Sequence, residues 1–310
     1  MYRGPMTVRA FQTRPHRLLW PIMAVALVAS WSSGFLGIRY ASENADVMLV
    51  LFWRTLMSGL ILLPFALLIG PRISARAVVQ QVVFGVAMMF LYLGGFALAI
   101  GQRVPTGLVA LISDLVPLAI AALSQPVLGH RLSGRQWAGT ALGAIGVLIA
   151  SADSVSLGTA PIWAYVLTVA SMLVFALATV VQKRMGRINM PIHQALCIQC
   201  LTAAVLFAAA AGWNGELMPP LDGRFECGIA WLVLFSTFFC YGIYYMSLRL
   251  YAAAEVSSVL YLSPPVTMLW AWLMFDEPLS MLMFLGLTVT LFGVWLTSSR
   301  AASPQTRASY

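Results

Sequence analysis

Ten runs of mostly apolar residues, each long enough to cross a bilayer, decide what this chain can fold into. They lie at about 18–38, 46–70, 77–100, 105–128, 134–151, 161–181, 191–212, 229–250, 255–275 and 281–299. An apolar helix needs roughly 20 residues to span the hydrocarbon, so the ten runs use about 200 residues and leave only short loops and two tails. Composition closes the other routes. Hydrophobic residues make up 61% of the 310 and charged residues 9%, against about 25% charged in a soluble domain. So few charges cannot cover a water-facing surface, which excludes a soluble enzyme, a disordered chain and a secreted disulfide scaffold. Four cysteines imply no disulfide framework. The runs lack the apolar–polar alternation of a membrane β-barrel. The first run follows a basic stretch, as a signal peptide would, but continues through Trp31 to Ile38 without a clear cleavage site, and is read as a span.

The net charge of +8 would suggest nucleic acid in a soluble protein. Here the basic residues fall singly or in short clusters between apolar runs, as cytoplasmic loops require, and no nucleic-acid partner is expected. With the N-terminus in the cytoplasm, 14 of the 18 basic residues lie inside, among them Arg72, Arg76, Arg131, Arg135, Lys183, Arg184 and Arg187. Only Arg39, Arg103 and Arg224 fall outside, and Arg54 lies within a span. Glu43, Asp46, Asp222, Asp276 and Glu277 fall outside as well. The expected topology is ten spans with both termini cytoplasmic.

The chain repeats itself at an offset of 147 residues. Pro117 meets Pro264, Leu132-Ser133 meets Leu279-Ser280, Gly139, Gly146 and Val147 meet Gly286, Gly293 and Val294, and Gly95 meets Gly242, without a gap. Each copy holds five spans. Five is odd, so the second copy enters the membrane upside down, and the charges reverse accordingly: His130, Arg131 and Arg135 follow the fourth span where Asp276 and Glu277 follow the ninth. The expected fold is all-α and integral to the membrane, with ten transmembrane helices as two inverted five-helix repeats. It divides into a basic cytoplasmic tail (1–17), a first repeat (18–152), an external linker (153–160), a second repeat (161–299) and a cytoplasmic tail (300–310). Two halves related by an axis in the membrane plane enclose a site near the midplane, and exchange of their conformations switches it between sides. That points to a transporter.

The halves resemble the paired five-helix units of the drug/metabolite transporter superfamily, in its EamA-type branch. The resemblance rests on Trp31-Ser32-Ser33-Gly34-Phe35, Phe52-Trp53-Arg54, Tyr92 through Ala99 to Gly107, Leu115-Val116-Pro117-Leu118 and Glu277-Pro278-Leu279-Ser280 with Gly286, and covers about residues 20–298. One departure is His130, where the first repeat lacks the acid that the second has at Glu277. The resemblance implies a multi-pass protein of a bacterial-type inner membrane and export of amino acids or related metabolites, and it names no substrate.

Arg54 and Asp114 are the deep charges. A charge at the bilayer centre costs about 2.5–3.5 kcal/mol on insertion scales and should not face lipid. Both sit at similar depth, so they are expected to face one cavity and to be close enough to pair: Arg54 for a substrate carboxylate, Asp114 for an amine or a coupling proton. A structural ion pair, or Arg54 snorkelling to the outer interface, is the alternative. Pro117, Pro264 and Pro265 are expected to break the fourth and ninth helices beside the site, with Ser263 adding a hydroxyl. Trp31, Tyr92, Tyr245 and Tyr261 are candidate lining residues, with Trp53 and Trp270 as further deep aromatics. His193, Cys197 and Cys200 share a helix face, but no second ligand cluster exists and no metal or other cofactor is expected. Gly139 and Gly143 form a GxxxG that joins either the two halves or two protomers, so monomer and homodimer both stay open. No GxxxxGK[ST] loop is present. The function expected is secondary active or facilitative export of amino acids, with the proton as a candidate coupling ion. Export of lipophilic cationic drugs or transport of phosphorylated solutes is the alternative, ahead of a membrane-embedded enzyme or a solute-binding scaffold.

Overall fold

The structure is a computed structural model that describes residues 19–298 apart from 130–132, 157–159, 186–189, 214, 216, 252–255 and 257–258. The tails 1–17 and 300–310, with His130, lie outside the described residues, as does the side chain of Tyr245. Among the described residues there is no strand. The helices are α1 (Leu19–Ala41), α2 (Val47–Leu68), α3 (Ala75–Gly101), α4 (Thr106–Ser113), α5 (Val116–Leu128), α6 (Gly134–Ser156), α7 (Ile162–Met185) and α8 (Ile192–Trp213). Then α9 runs from Gly223–Trp231 through Leu232–Phe239 to Cys240–Leu250, followed by α10 (Ser263–Phe275) and α11 (Met281–Ser298). Seven helices are long and apolar enough to cross a membrane, and Met281–Leu296 is a shorter apolar one. Val25, Leu68, Leu148, Val205 and Leu273 stand exposed on their outer faces, as a multi-pass protein bathed in acyl chains requires.

Polar side chains start the helices. Asp46 Oδ1 accepts from the backbone N–H groups of Met48 at 2.7 Å and Leu49 at 3.4 Å and caps α2. Ser74 caps α3 and Asp222 caps α9 in the same way. Each satisfies donors that an apolar surrounding would leave bare.

The 147-residue offset is visible in the packing. Equivalent helices lie against each other, α2 against α8 and α6 against α11, and α4 packs against α10, the copy of α5. They run antiparallel. Gln194, early in α8, donates to Ala66 O, late in α2, at 3.1 Å, and Gly143 meets Gly293 while Gly146 meets Gly286. The pair α6/α11 is closed by glycine: a Cβ on Gly293 would lie 2.6 Å from Gly139 O, and one on Gly146 would lie 2.6 Å from Gly286 O. The small-residue face of α6 therefore seals the two halves together.

Two further features recur at the offset. Gly85–Tyr92 of α3 and Leu232–Phe239 of α9 are both π-helical, the second 147 residues after the first. Such wide turns are rare and gather at functional sites. The fourth span is interrupted at Asp114–Leu115, between α4 and α5, and Tyr261–Leu262 form the matching turn before α10. Both spans are thus broken, and Pro117, Pro264 and Pro265 follow directly on the breaks. They occupy the first turn of α5 and α10, where a proline's missing N–H has no partner to lose and its fixed φ suits the helix.

Candidate substrate cavity

Between the halves lies a cavity of about 590 Å³. Its wall comes from α1 (Trp31, Gly34, Phe35), α2 (Arg54, Thr55, Ser58), the π turns of α3 (Met88, Met89, Tyr92), the break at Ser113–Asp114, α7, α8 and the π turns of α9 (Ser236, Thr237). The two π segments and the two helix breaks thus face one space. Wide turns push side chains out of the usual helical register, which is how Tyr92 and Ser236 reach it.

Arg54 and Asp114 both line this cavity, but among the described residues no ion pair joins them. Arg54 Nη2 instead donates to Ser236 Oγ at 3.1 Å. That contact depends on Gly34, because a Cβ there would sit 2.6 Å from Ser236 Oγ. Asp114 caps the C-terminus of α4, its N–H donating to Ala110 O at 2.9 Å. Among the described residues its Oδ2 is buried without a hydrogen-bond partner, as is the hydroxyl of Ser58 on the same wall. The cavity thus holds a guanidinium oriented by one hydroxyl, and a carboxyl oxygen without a hydrogen-bond partner among the described residues. A buried polar atom left bare costs about 1–3 kcal/mol and marks a place where a ligand or proton can be received.

Trp31, Tyr92 and Tyr261 also line the cavity. Tyr92 packs on Phe175 at 4.5 Å between ring centroids and on Phe96 at 5.2 Å. Ser263 does not reach the wall: it is buried against α1, with Ser32 Oγ 3.3 Å from both its carbonyl and its hydroxyl oxygen. Pro264 and Pro265 also stay outside, whereas Pro117 lines it. Trp53 donates to Leu217 O at 3.2 Å, and Trp270 packs tilted on Trp231 with ring centroids 6.0 Å apart. The face shared by His193, Cys197 and Cys200 disperses. His193 Nε2 lies 2.7 Å from Ile69 O, Cys197 Sγ donates to Gly59 O at 3.6 Å, and Cys200 lines the cavity.

The sequence reading missed Ser236, Ser58, Ser113 and Gln199. Only the hydroxyl pair Ser236-Thr237 within the apolar run Trp231–Phe239 hinted at one of them. Gln199 lines the cavity and donates to Gln81 Oε1 at 2.7 Å, a buried link between α8 and α3.

At the end of the molecule beyond α4 the charges gather. Glu277 accepts at 2.6 Å from both the backbone N–H and the hydroxyl of Thr106, the first residue of α4. Burial pushes the Glu277 carboxyl above its ordinary range, while the Thr106 bonds and Arg39 pull it back. Arg39 lies 3.6 Å from Glu277 and 3.5 Å from Glu43, with its guanidinium 5.0 Å from the centre of the Phe275 ring. Glu43 also pairs with Arg224, and Asn44 donates to Asp222 at 3.0 Å.

Known proteins agree with this architecture. A transporter of the Escherichia coli K12 inner membrane called YedA, itself uncharacterized, is 27% identical over 289 residues, covering 91% of this chain and 92% of its own length. A probable amino-acid metabolite efflux pump of the same strain is 24% identical over 284 residues, covering 89% of this chain and 93% of its own. A solved crystal structure superposes with a TM-score of 0.61 over 90% of this chain and 96% of its own at 16% identity, a likeness of fold alone. The EamA-like transporter family matches residues 18–152 and 162–299. These matches take in both halves that enclose the cavity, and the chain belongs to the EamA-like transporter family.

Proposed function

We propose that this protein is a secondary active or facilitative transporter that exports amino acids or related small metabolites across the inner membrane by alternating access. One observation carries the reading: Arg54 and Asp114 line one cavity between the two repeats, and among the described residues no ion pair joins them. In this reading Arg54, steadied by Ser236, takes the substrate carboxylate. The bare oxygen of Asp114 receives its ammonium group or a coupling proton, and Trp31, Tyr92 and Tyr261 contact the side chain. The relative named as a probable amino-acid metabolite efflux pump supports the substrate class. The chain crosses the membrane ten times with both termini in the cytoplasm, and Asp114–Leu115 and Tyr261–Leu262 are the hinges of the two halves.

The test is flux in proteoliposomes, with a panel of labelled amino acids and with or without an imposed proton gradient. Saturable movement of one amino-acid group, absent from empty vesicles, is the expected result. No flux of any amino acid by folded protein overturns the substrate class and sends the search to lipophilic cations and phosphorylated solutes.

A further inference from the structure

On one side the lining of the cavity stops short of the charge cluster around Glu277. Along α1, α3 and α4, the residues that separate the lining from that cluster are Ile38, Ile100 and Leu108, each fully buried. The lining instead continues the other way, to Gln182 on α7 and Ile192 on α8. A dry apolar layer of this kind opens only if the helices that carry it separate, and the cluster is what ties their ends together. Arg39 belongs to the end of α1, Thr106 to the start of α4, and Glu277 to the turn after α10. The first two come from one repeat and Glu277 from the other, so the cluster crosses the boundary along which the halves must part.

The clasp also reaches the cavity mechanically. Thr106 begins α4 and Asp114 ends it. Eight residues at about 1.5 Å per residue make a rod of about 12 Å. Every residue of that rod is buried, and Gly107 lies so close to α10 that a Cβ would meet Met268 Cα at 2.9 Å. At the place equivalent to Glu277 the first repeat carries His130 and no acid.

We propose that Glu277, bridging Arg39 and Thr106, is the gate that holds the cavity shut on its own side, and that the structure is the state closed there. This inference rests on the transport reading above. Glu277 and Arg39 are positioning residues: they touch no substrate and act by holding the ends of α1 and α4.

A reporter thiol tests it. The four native cysteines are replaced by alanine, Met88, half-buried on the cavity wall, becomes cysteine, and a membrane-impermeant thiol reagent is applied to each side of oriented vesicles. A chain that keeps only Cys227, which is exposed on α9 five residues after Asp222, identifies the side the clasp faces. The parent is expected to label from the opposite side alone. Glu277→Gln and Arg39→Gln are each expected to label from the clasp side about tenfold faster or more, the lower end for loss of a hydrogen bond to a charged group. Both variants are expected to keep a cooperative melting transition, which a merely misfolded variant does not, and Arg39→Lys, which keeps the charge beside Glu277, is expected to label from the clasp side more slowly than Arg39→Gln. Clasp-side labelling already present in the parent, unchanged in the Gln variants, or as fast in Arg39→Lys as in Arg39→Gln overturns the gate. Flux in the same vesicles separates the two claims: gated labelling without amino-acid flux removes the substrate class and leaves the gate, and flux without gated labelling removes the gate alone.

Discussion

Gly34→Ala should injure the cavity through one atom, and a double-mutant cycle can show it. The added methyl would stand 2.6 Å from Ser236 Oγ but 3.6 Å from Ser236 Cβ, an ordinary contact. Only the hydroxyl has to move, and it is the one that accepts from Arg54. A hydrogen bond to a charged group is worth about 1.5–3 kcal/mol, so substrate affinity should fall about 10- to 150-fold. Overall stability should hold, since alanine is a better helix residue than glycine by up to about 1 kcal/mol. Ser236→Ala alone should cost a similar factor. In the Ser236→Ala background Gly34→Ala should cost almost nothing, because the methyl then meets only the Cβ. The assay is the half-saturating concentration of the transported amino acid in proteoliposomes, with melting temperature measured alongside. Additive effects of the two substitutions, or a loss of affinity that follows a fall in melting temperature, would refute the argument that Gly34 acts through Ser236 on Arg54.

Two further substitutions probe other links. Asp114→Asn removes an ionisable group whose Oδ2 has no hydrogen-bond partner among the described residues, so the melting temperature should barely change while the pH dependence of flux disappears; full transport with an unchanged pH profile would end the coupling role. Gly286→Ala puts a methyl 2.7 Å from Ala150 Cβ where α11 meets α6. Overpacking of that kind costs about 1–3 kcal/mol, visible as a melting temperature lower by several degrees, and an unchanged value would show that the helices can move apart freely.

Which parts of this were legible depended on how local their causes are. The membrane class, the repeat offset and the place of Arg54 and Asp114 on one cavity could be read directly, since hydropathy adds up residue by residue and a proline or glycine keeps its meaning at every copy. The glycines of α6 were legible as a close contact but not as to its partner, because GxxxG marks a smooth face and says nothing of what lies on it. The prolines were legible as marks of a helix break, but not the residues at which the break falls, because the sequence does not say where a helix stops. Once α4 ends at Asp114, Pro117 is simply a first-turn residue. Tyr92 and Tyr261 were found as deep aromatics; Trp53 and Trp270 carried the same signal and went elsewhere, since depth along the membrane does not determine rotation about a helix axis.

By itself the chain determines that its backbone must be helical in the bilayer, because hydrocarbon offers no other partner for its N–H and C=O groups, and its 147-residue offset determines that the two halves are copies. Tertiary structure alone decided that Arg54 turns to Ser236 and away from Asp114, that π turns open at Gly85–Tyr92 and Leu232–Phe239, and that Glu277 closes on Thr106 and Arg39. Each of these joins residues far apart in the chain or shifts a helical register within a single turn, and such choices are made by contacts a few tenths of an ångström wide between packed helices.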